Sequence, residues 1–342
     1  MRYFATIKSM KIGFDLSQSA FLGGVSSYTK NLAFGLSRRE DLEMIYFYSS
    51  LRRNYAGPLK NVKSIKIPPN ILEPLFNRLR LLPIEIFIGK VDVFHSSDWT
   101  QPPTKAFKVT TYHDVVPLKY PEWSTKKIVD VHKRRLKIVE KEIDLVIAVS
   151  QSTKKDLLEV SSIPENKIKV IYEGVGSQFK QLSEVKKKEF KRRLRLPDEF
   201  ILAIGGIGER RNLERIKKAS KDQNLVITGE TIPSLSDDEM PLLYSSASIL
   251  LYSSLYEGFG LPILEAFSCG CPVVTSNRSA MLEIAGNAAI LVNPEDIYNI
   301  KDGIDKAFDE KENLIKKGLA RVKNFSLEKS IEETVKVYRS IL

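Results

Sequence analysis

The sequence is poor in the residues that build metal sites and disulfide frameworks. It has two cysteines and three histidines among 342 residues, and no Asp-X-Asp triplet that could hold a divalent cation. Cys269 and Cys271 are separated by a single residue, too close for an easy disulfide, and three histidines are too few to complete a zinc site. We therefore expect no metal or other cofactor, and a reducing, cytoplasmic compartment.

Long hydrophobic runs are also missing. No apolar run reaches the roughly 18 residues that a transmembrane helix requires. Residues 1–10 lack the apolar centre of a signal peptide, so we expect a short extension before the first strand. A hydrophobic content of 43% and a charged content of 28% are typical of a globular protein, and the length predicts two domains.

Basic residues exceed acidic ones almost entirely in one half of the chain. Residues 1–175 contain 28 Lys and Arg against 18 Asp and Glu, whereas residues 176–342 contain 25 against 24. The two halves therefore face different partners. The excess in the N-terminal half favours an anionic surface, either a membrane or a nucleic acid.

Short apolar runs alternate with helical patterns along the whole chain, which predicts an α/β fold with parallel, doubly wound sheets. The predicted strands are Lys11–Leu16, Met44–Tyr48, Val91–Phe94, Val109–Tyr112, Leu145–Val149 and Ile168–Ile171, then Phe200–Ile204, Leu225–Thr228, Ala247–Leu251, Pro272–Thr275 and Ala289–Val292. Between the two sets the alternation breaks into the charged stretch Lys186–Arg195. We therefore predict two Rossmann-like domains, residues 1–175 and 176–326.

Ligands of such sheets bind beyond the carboxyl ends of the strands, so the loops there are the first place to look for chemistry. One of them contains Gly258 and Gly260 and leads into a predicted helix with Pro262 in its first turn. The glycines let a ligand approach the backbone, and the amides of a helix N-terminus bind anions such as a diphosphate. Glu257 and Glu265 could reach the hydroxyls of that ligand, although both could also simply cap the helix.

Glu257 and Glu265, with seven residues between them, resemble the E-x7-E signature of the family 4 retaining glycosyltransferases. The similarity continues through residues 266–277 and 288–294 and covers nearly the whole chain. It implies the GT-B architecture, with two domains facing a cleft and the last helix, residues 327–342, crossing back to the N-terminal domain. It also implies that Glu265 binds the ribose and Glu257 the donor sugar, and that the loop approaches sugar and phosphates at Gly258, Phe259, Gly260 and Leu261.

A second loop, Gly205 to Leu213, contains Arg210 and Arg211. A departing nucleotide diphosphate needs its negative charge stabilised, and without a metal ion fixed guanidinium groups do this well. Two solvated arginines in a polar turn are the alternative. The family resemblance supports the functional interpretation, with Arg211 standing where the family usually has a lysine.

Two further segments resemble the family in the N-terminal half. His113 and Asp114 follow a predicted strand, and the resemblance implies that His113 contacts the donor sugar, whereas a lone histidine is more often structural. Gly23 and Gly24 open a predicted helix, where the family brings its backbone close to the donor phosphates and the acceptor. One departure from the family concerns residues 212–237, which are too few for the usual strand and helix of the nucleotide-binding domain.

The resemblance implies a metal-independent transfer of a hexose, with retention of configuration, from a nucleotide sugar to a hydroxyl of a glycan or lipid-linked saccharide. GDP-mannose is the preferred donor because of the segment around His113, with UDP-sugars as alternatives. No enzyme nucleophile is required, and Asp114 is a poor candidate for one. Alternatives are an epimerase or phosphorylase on the same fold, or a non-enzymatic polyanion-binding protein. The acidic pair Glu257 and Glu265 would repel a nucleic acid.

Two segments suggest peripheral binding to the cytoplasmic face of a membrane. A helix capped by Ser124 would gather an apolar side opposite many lysines, and a second apolar stripe is flanked by Arg78 and Arg80. The apolar side chains are Ile128, Val131, Ile138 and Val139 in the first segment, and Leu72, Leu75, Phe76, Leu79 and Leu82 in the second. Ordinary surface helices with solvated basic faces are the alternative.

Overall fold

The computed structural model describes residues 9–21, 23–206 and 208–341, so the predicted extension before residue 9 lies outside the described part. The chain divides into two compact units. The first unit contains the residues up to Val149, Lys154–Ile171 and the residues from Leu327 onward. The second unit contains Ser150–Thr153 and Tyr172–Ser326. The last helix therefore belongs to the first unit, although Tyr172–Ser326 of the second unit directly precedes it in the sequence.

The first unit is built on a parallel sheet of seven strands among the described residues. The strands β1 to β7 are Met10–Asp15, Leu42–Ser49, Val62–Ile65, Val93–Ser96, Phe107–Tyr112, Leu145–Ala148 and Ile168–Val170. Their order is β3-β2-β1-β4-β5-β6-β7. The six predicted strands are confirmed. β3 escaped prediction because it is an edge strand whose residues are half-buried or exposed, so that it lacks a continuous apolar run.

The second unit has a parallel sheet of five described strands, and all five were predicted. They are β8 to β12: Ile201–Ala203, Leu225–Ile227, Ile249–Tyr252, Val273–Ser276 and Ile290–Val292. Their order is β12-β11-β10-β8-β9, the arrangement of a doubly wound sheet with five strands. Residues 212–237 contain one helix and one strand, and between β9 and the next helix at Met240 the described chain forms neither.

Helices cover both sheets. Numbered α1 to α14, they are Gly24–Leu36, Pro69–Glu73, Glu85–Ile88, Val116–Lys119, Lys126–Glu142, Gln151–Val160, Glu184–Leu194, Leu213–Ala219, Met240–Ser246, Leu261–Ser268, Ser279–Ala285, Ile297–Asp309, Lys311–Arg321 and Leu327–Arg339. The charged stretch between the predicted domains is mostly α7, which buries only Phe190. Both cysteines are buried and free, as their spacing predicted.

The last helix, α14, packs closely against α1 in the first unit. A Cβ atom on Gly35 of α1 would overlap the end of the Ile331 side chain on α14, which would then have to move. Val335 and Tyr338 of α14 are also buried in the core that includes the residues of α1 and β1. The helix is therefore an integral part of the first unit.

Two expectations about α5 were wrong. Its N-cap is Thr125, whose side chain accepts a hydrogen bond from the Ile128 amide, and not Ser124. Its apolar side chains Val131, Ile138 and Val139 are buried, because they pack into the domain and are not offered to a bilayer. Among the described residues, no helix combines the length and hydrophobicity needed to cross a membrane.

Candidate functional site

Two of the predicted loops leave neighbouring strands of the second sheet. β8 and β10 are hydrogen-bonded to each other, and the sheet reverses its order between them. Ligands of doubly wound sheets bind outside the carboxyl ends of strands at such a reversal. The loop after β8 carries Arg210 and Arg211, and the loop after β10 carries Glu257. The topology therefore brings the three predicted residues to one edge of the sheet.

The three side chains meet directly. Glu257 accepts a hydrogen bond from Arg210 Nη1 on Oε2 at 2.9 Å and one from Arg211 Nη1 on Oε1 at 2.7 Å. Glu257 is only 7% exposed, and the side chains of both arginines are about one-fifth to one-quarter exposed. Each oxygen of one carboxylate thus binds a different guanidinium. The cluster has a net positive charge, which suits an anionic ligand.

Neighbouring polar groups fix the arginine loop. Arg211 Nη1 also donates to the hydroxyl of Tyr252, a buried side chain at the end of β10, at 2.8 Å. Asn212 is buried in the left-handed conformation, and its amide donates to the carbonyl oxygens of Ser253 and Pro294 at 2.9 and 2.6 Å. A Cβ on Gly205 would overlap the backbone oxygen of Thr228. The loop can follow this path only with glycine at that position.

The glycine loop before α10 is anchored through its backbone. The carbonyl oxygen of Gly258 accepts hydrogen bonds from Ser150 Oγ at 2.6 Å and Thr153 Oγ1 at 2.9 Å, both in the second unit. Gly260, the N-cap of α10, has a φ of 110°, in the region that favours glycine. Leu261 is buried and begins α10. Pro262 is in the first turn of the helix, as predicted.

Phe259 anchors the same loop through its side chain. Its ring is buried and lies 6.3 Å from the rings of both Tyr172 and Phe325, measured between centroids. Tyr172 and Phe325 also contact each other at 5.4 Å. The phenyl group is thus committed to this aromatic cluster. Only the backbone of Phe259 is left for the donor contact predicted at this position.

Glu265 lies one turn into α10 and is partly buried. Burial raises the pKa of its carboxyl group to about 7, although a hydrogen bond from the Tyr244 hydroxyl lowers it. The negative charges of Asp237 and Glu173 raise it further. The hydroxyl of Tyr244 donates to Oε2 at 2.8 Å, which fixes the carboxyl group. Glu265 therefore changes charge near neutral pH, unlike an ordinary glutamate.

In the first unit, the predicted residues follow β1 and β5. Gly23 has a φ of 107° and is the N-cap of α1, which begins at Gly24. His113 directly follows β5, and its imidazole lies edge to face against Tyr28, with ring centroids 4.7 Å apart. The carboxylate of Asp114 accepts a hydrogen bond from the Val116 amide at 3.0 Å, at the start of α4. Asp114 is therefore engaged in a local hydrogen bond with the backbone.

Comparison with protein families identifies the chain. The family model for glycosyl transferases group 1 matches residues 137–339, which is more than half of the chain. The chain belongs to the group 1 glycosyltransferase family. A second model, for glycosyltransferase family 4, matches residues 22–179. The resemblance noted in the E-x7-E segment is thereby confirmed at the level of the family.

Three curated relatives of this glycosyltransferase are named as mannosyltransferases. O-antigen chain mannosyltransferase B of Escherichia coli is 25% identical over 281 residues, which cover 72% of this chain and 74% of that protein. Serotype-specific mannosyltransferase WbdA of Escherichia coli is 29% identical over 59% of this chain but only 29% of its own length. O-antigen chain mannosyltransferase RfbU of Salmonella typhimurium is 29% identical over 54% of this chain and 56% of its own.

Solved structures confirm the GT-B fold of the glycosyltransferase. A sucrose-phosphate synthase from Thermosynechococcus elongatus superposes with a TM-score of 0.79 at 18% identity, covering 97% of this chain and 99% of that one. The glycosyltransferase WaaG of lipopolysaccharide biosynthesis superposes with a TM-score of 0.72 at 12% identity, covering 96% and 99%. An Anabaena HepE complex with UDP and glucose gives 0.73 at 16% identity, covering 97% and 100%.

Several groups that hold the site of this glycosyltransferase were not predicted from the sequence. Tyr252, Tyr244 and Ser150 bind Arg211, Glu265 and the glycine loop respectively, although they are distant from these groups in the chain. Tyr252 ends β10, one residue beyond the predicted strand Ala247–Leu251, and leads into the E-x7-E loop, so its position was a usable signal. Ser150 follows β6 and carried no comparable signal, because its partner Gly258 is 108 residues away.

Proposed function

We propose that this glycosyltransferase transfers a hexose from a nucleotide-diphosphate sugar to an acceptor hydroxyl with retention of anomeric configuration and without a metal ion. The observation that carries the proposal is the cluster of Arg210, Arg211 and Glu257 at the switch point of the second sheet. The two guanidinium groups follow β8 and the N-terminus of α10 follows the neighbouring strand β10, so we infer that they share one ligand. Such groups bind a diphosphate.

The cluster supplies the main requirement of the reaction, which is stabilisation of the leaving nucleotide diphosphate. Arg210 and Arg211 are both held by one carboxylate, so we expect little reorganisation of these groups when charge develops. The acceptor hydroxyl approaches on the face from which the diphosphate departs, and a phosphate oxygen of the leaving group takes its proton. We assign the sugar hydroxyls to Glu257 and His113 and the ribose hydroxyls to Glu265, as the family resemblance implies.

GDP-mannose is the donor we propose, with UDP-sugars as the alternative. Relatives named as mannosyltransferases, among them O-antigen chain mannosyltransferase B, favour mannose. The HepE structures contain UDP or UDP-glucose, at 16% identity or below, and keep a uridine base in consideration. The short connection between β9 and α9 is a further reason to test both bases, because it departs from the usual family pattern.

The proposal is tested by a thermal-shift screen of GDP- and UDP-sugars, followed by transfer assays with the donor that binds. A ligand at 100 times its Kd raises stability by about 2.7 kcal/mol, which is easily detected. We expect transfer to persist in excess EDTA and the product to keep the donor's anomeric configuration in its NMR spectrum. Activity lost in EDTA and restored by manganese would refute the metal-independent mechanism. An inverted product would refute retention.

We further propose that the acceptor is a glycan or lipid-linked saccharide met at an anionic membrane. The exposed side of α5 supports this with five lysines, and no ion pair of these lysines is found within the described residues. They are Lys126, Lys127, Lys133, Lys137 and Lys141. Each basic residue near an anionic surface contributes about 1 kcal/mol, so several together suffice for reversible binding.

Exposed apolar side chains lie in and around a segment that is tied to α5. Two ion pairs hold the segment of residues 73–80 along α5: Glu73 with Arg134 at 3.0 Å, and Arg80 with Glu142. The predicted Leu72 and Phe76 are buried, so that part of the expected stripe was wrong. The large side chains that are at least half exposed in and around this segment are Ile71, Leu79, Leu81 and Ile86. They could enter the interface while the lysines bind headgroups.

Flotation with liposomes tests the membrane proposal. The variant with Lys133, Lys137 and Lys141 changed to Gln should lose binding to anionic vesicles at low salt. A matched control removes three exposed basic residues from α7 in the second unit, Lys186, Lys188 and Arg192, and should keep binding. Equal loss in both variants would indicate a nonspecific charge effect. No binding of the unmodified protein at low salt would leave a soluble acceptor as the better proposal.

A further inference from the structure

A hydrogen-bonded chain of neutral side chains crosses the core of the first unit. The hydroxyl of Tyr338, on α14, lies 2.7 Å from Nδ1 of His95 on β4. Nε2 of His95 lies 2.8 Å from Oγ1 of Thr111 on β5. The same Oγ1 lies 3.2 Å from the hydroxyl of Tyr28 on α1. Four side chains from four elements are thus linked in series.

The last member of the series, Tyr28, contacts His113 of the candidate site. The ring of Tyr28 lies edge to face against the imidazole of His113, with centroids 4.7 Å apart and planes at 81°. Thr111 is two residues before His113 on the same stretch of chain. The contacts of Tyr28 therefore connect the Tyr338 hydroxyl of the last helix to the imidazole at the end of β5.

The imidazole of His95 makes the donor and acceptor roles of all the hydrogen bonds in this series depend on one another. Burial lowers the pKa of His95 to about 3, and the nearby His113 lowers it as well, so the ring is neutral. A neutral imidazole has one donor and one acceptor nitrogen. If Tyr338 donates to Nδ1, then Nε2 donates to Thr111, whose hydroxyl donates to Tyr28. In the opposite arrangement every bond reverses, so the hydroxyl orientations and the His95 tautomer change together.

These side chains depend on one another for hydrogen-bond partners because they are buried away from water. Tyr338 is fully buried, His95 is 2% exposed and Thr111 is 3% exposed. A buried polar group without a partner is strongly disfavoured, so removing one hydroxyl leaves the next member unsatisfied. The group left without a partner can regain a hydrogen bond through a change of the His95 tautomer or through a side-chain movement. We expect either change to alter the hydrogen bond to the neighbouring side chain.

We propose that Tyr338, His95, Thr111 and Tyr28 are positioning residues for sugar transfer, which orient His113 from the last helix through this relay. The inference rests on the proposed function, because it takes His113 as a contact of the donor sugar. It assigns α14 a role beyond closing the core of the first unit. The hydroxyl of Tyr338 acts through His113 even though 225 residues separate the two in sequence.

Nuclear magnetic resonance tests the relay without requiring activity. The chain has only three histidines, so protein labelled with 15N-histidine gives few imidazole signals. Tyr338→Phe keeps the ring but deletes the hydroxyl, and we expect shifted ring nitrogens in both His95 and His113. The matched control is Tyr46→Phe, which deletes another buried hydroxyl of the same core, one that donates to the Ala33 carbonyl at 2.8 Å. It should leave both imidazoles unchanged.

A double-mutant cycle tests the consequence for transfer. Tyr338→Phe should lower kcat on the order of 10-fold with little change in KM for the donor, less than the roughly 100-fold expected when a reacting group is displaced by about 1 Å. In a His113→Ala background the same substitution should have no further effect on kcat, because the residue through which it acts is gone. Tyr46→Phe should change neither parameter in either background.

The outcomes separate the relay from the proposed function. Unchanged His113 signals in Tyr338→Phe, or equal kcat effects in both backgrounds, would overturn the relay and leave the proposed function intact. If His113→Ala transfers sugar at the normal rate, the role of His113 fails, and the nitrogen spectra still decide whether the relay exists. Thr111→Val, which removes the central hydroxyl, should reproduce the spectrum of Tyr338→Phe at His113 and provides a second variant if the first does not fold.

Discussion

The two units position their candidate residues by opposite means. In the second unit a single carboxylate, Glu257, holds two guanidinium groups, and all three side chains follow neighbouring strands of one sheet. In the first unit His113 adjoins a series of neutral hydroxyl, imidazole and aromatic groups that begins on the last helix. Charge therefore holds the residues of the second unit, and packing with neutral hydrogen bonds holds those of the first unit.

The difference follows from what each part is proposed to bind. A diphosphate requires positive charge, and a carboxylate partner can hold guanidinium groups in a fixed geometry. A sugar contact requires an oriented imidazole, for which a neutral, dry environment is enough. The charged cluster of the second unit should therefore respond to the loss of a charge, and the neutral contacts of the first unit should respond to the loss of a hydroxyl or of close packing.

The largest expected effect comes from removing the shared charge. Glu257→Gln keeps the size of the side chain but takes the common counterion from Arg210 and Arg211. Hydrogen bonds to charged groups contribute about 1.5–3 kcal/mol, so we expect turnover to fall roughly 10- to 100-fold. Glu295→Gln is the control, since it breaks an exposed ion pair with Arg278 at 3.0 Å in the same unit. Equal turnover in the two variants would contradict the assigned role of Glu257.

An intermediate effect should depend on pH. The folded-state pKa of Glu265, about 7, is above its ordinary value of 4.5, so folding disfavours the ionised carboxyl group. The protonated carboxyl group therefore favours the folded state at low pH, and the free energy of unfolding of the unmodified protein decreases as the pH rises from about 4.5 to 7. We expect Glu265→Gln to raise the melting temperature relative to the unmodified protein at pH 8, and to do so less at pH 5. A difference that does not change with pH would contradict the raised pKa.

The same carboxyl group should govern nucleotide binding. The ionised form accepts hydrogen bonds from ribose hydroxyls more strongly than the protonated form, so the affinity for the nucleotide should increase as the pH rises through 7. In titration calorimetry Glu265→Gln should bind more weakly and with a flatter pH dependence. A 2′,3′-dideoxy nucleotide should lose the dependence in the unmodified protein, and a dependence that persists would assign it to another group.

The smallest effect on nucleotide binding is expected when close packing is disturbed in the first unit. Gly35→Ala places a methyl group against Ile331, and overpacking of this kind costs about 1–3 kcal/mol in the free energy of unfolding. Nucleotide binding should be unchanged, because the disturbance lies in the first unit. The paired variant is Gly303→Ala in α12, whose added Cβ would overlap Val292 in the second unit. Nucleotide binding weakened equally by both variants would show that the two disturbances are not separate.

The sequence by itself determined most of the local structure. Eleven of the twelve described strands and the turn around Gly258, Gly260 and Pro262 were predictable, because hydrophobic runs, glycine and proline act over a few residues. The candidate site residues His113, Arg210, Arg211, Glu257 and Glu265 were selected by motif and by position after strands. The edge strand β3 was missed, since it carries no continuous apolar run.

Only the tertiary structure decided which of these residues meet. The pairing of Glu257 with both arginines joins positions 46 and 47 residues apart. The tie between Tyr338 and His95 spans 243 residues. The apolar side of α5 was visible as a pattern, but a pattern cannot say whether a sheet or a bilayer covers it, and the structure places it in the core. Such contacts, and the raised pKa of Glu265, depend on burial and on chain segments brought together by folding.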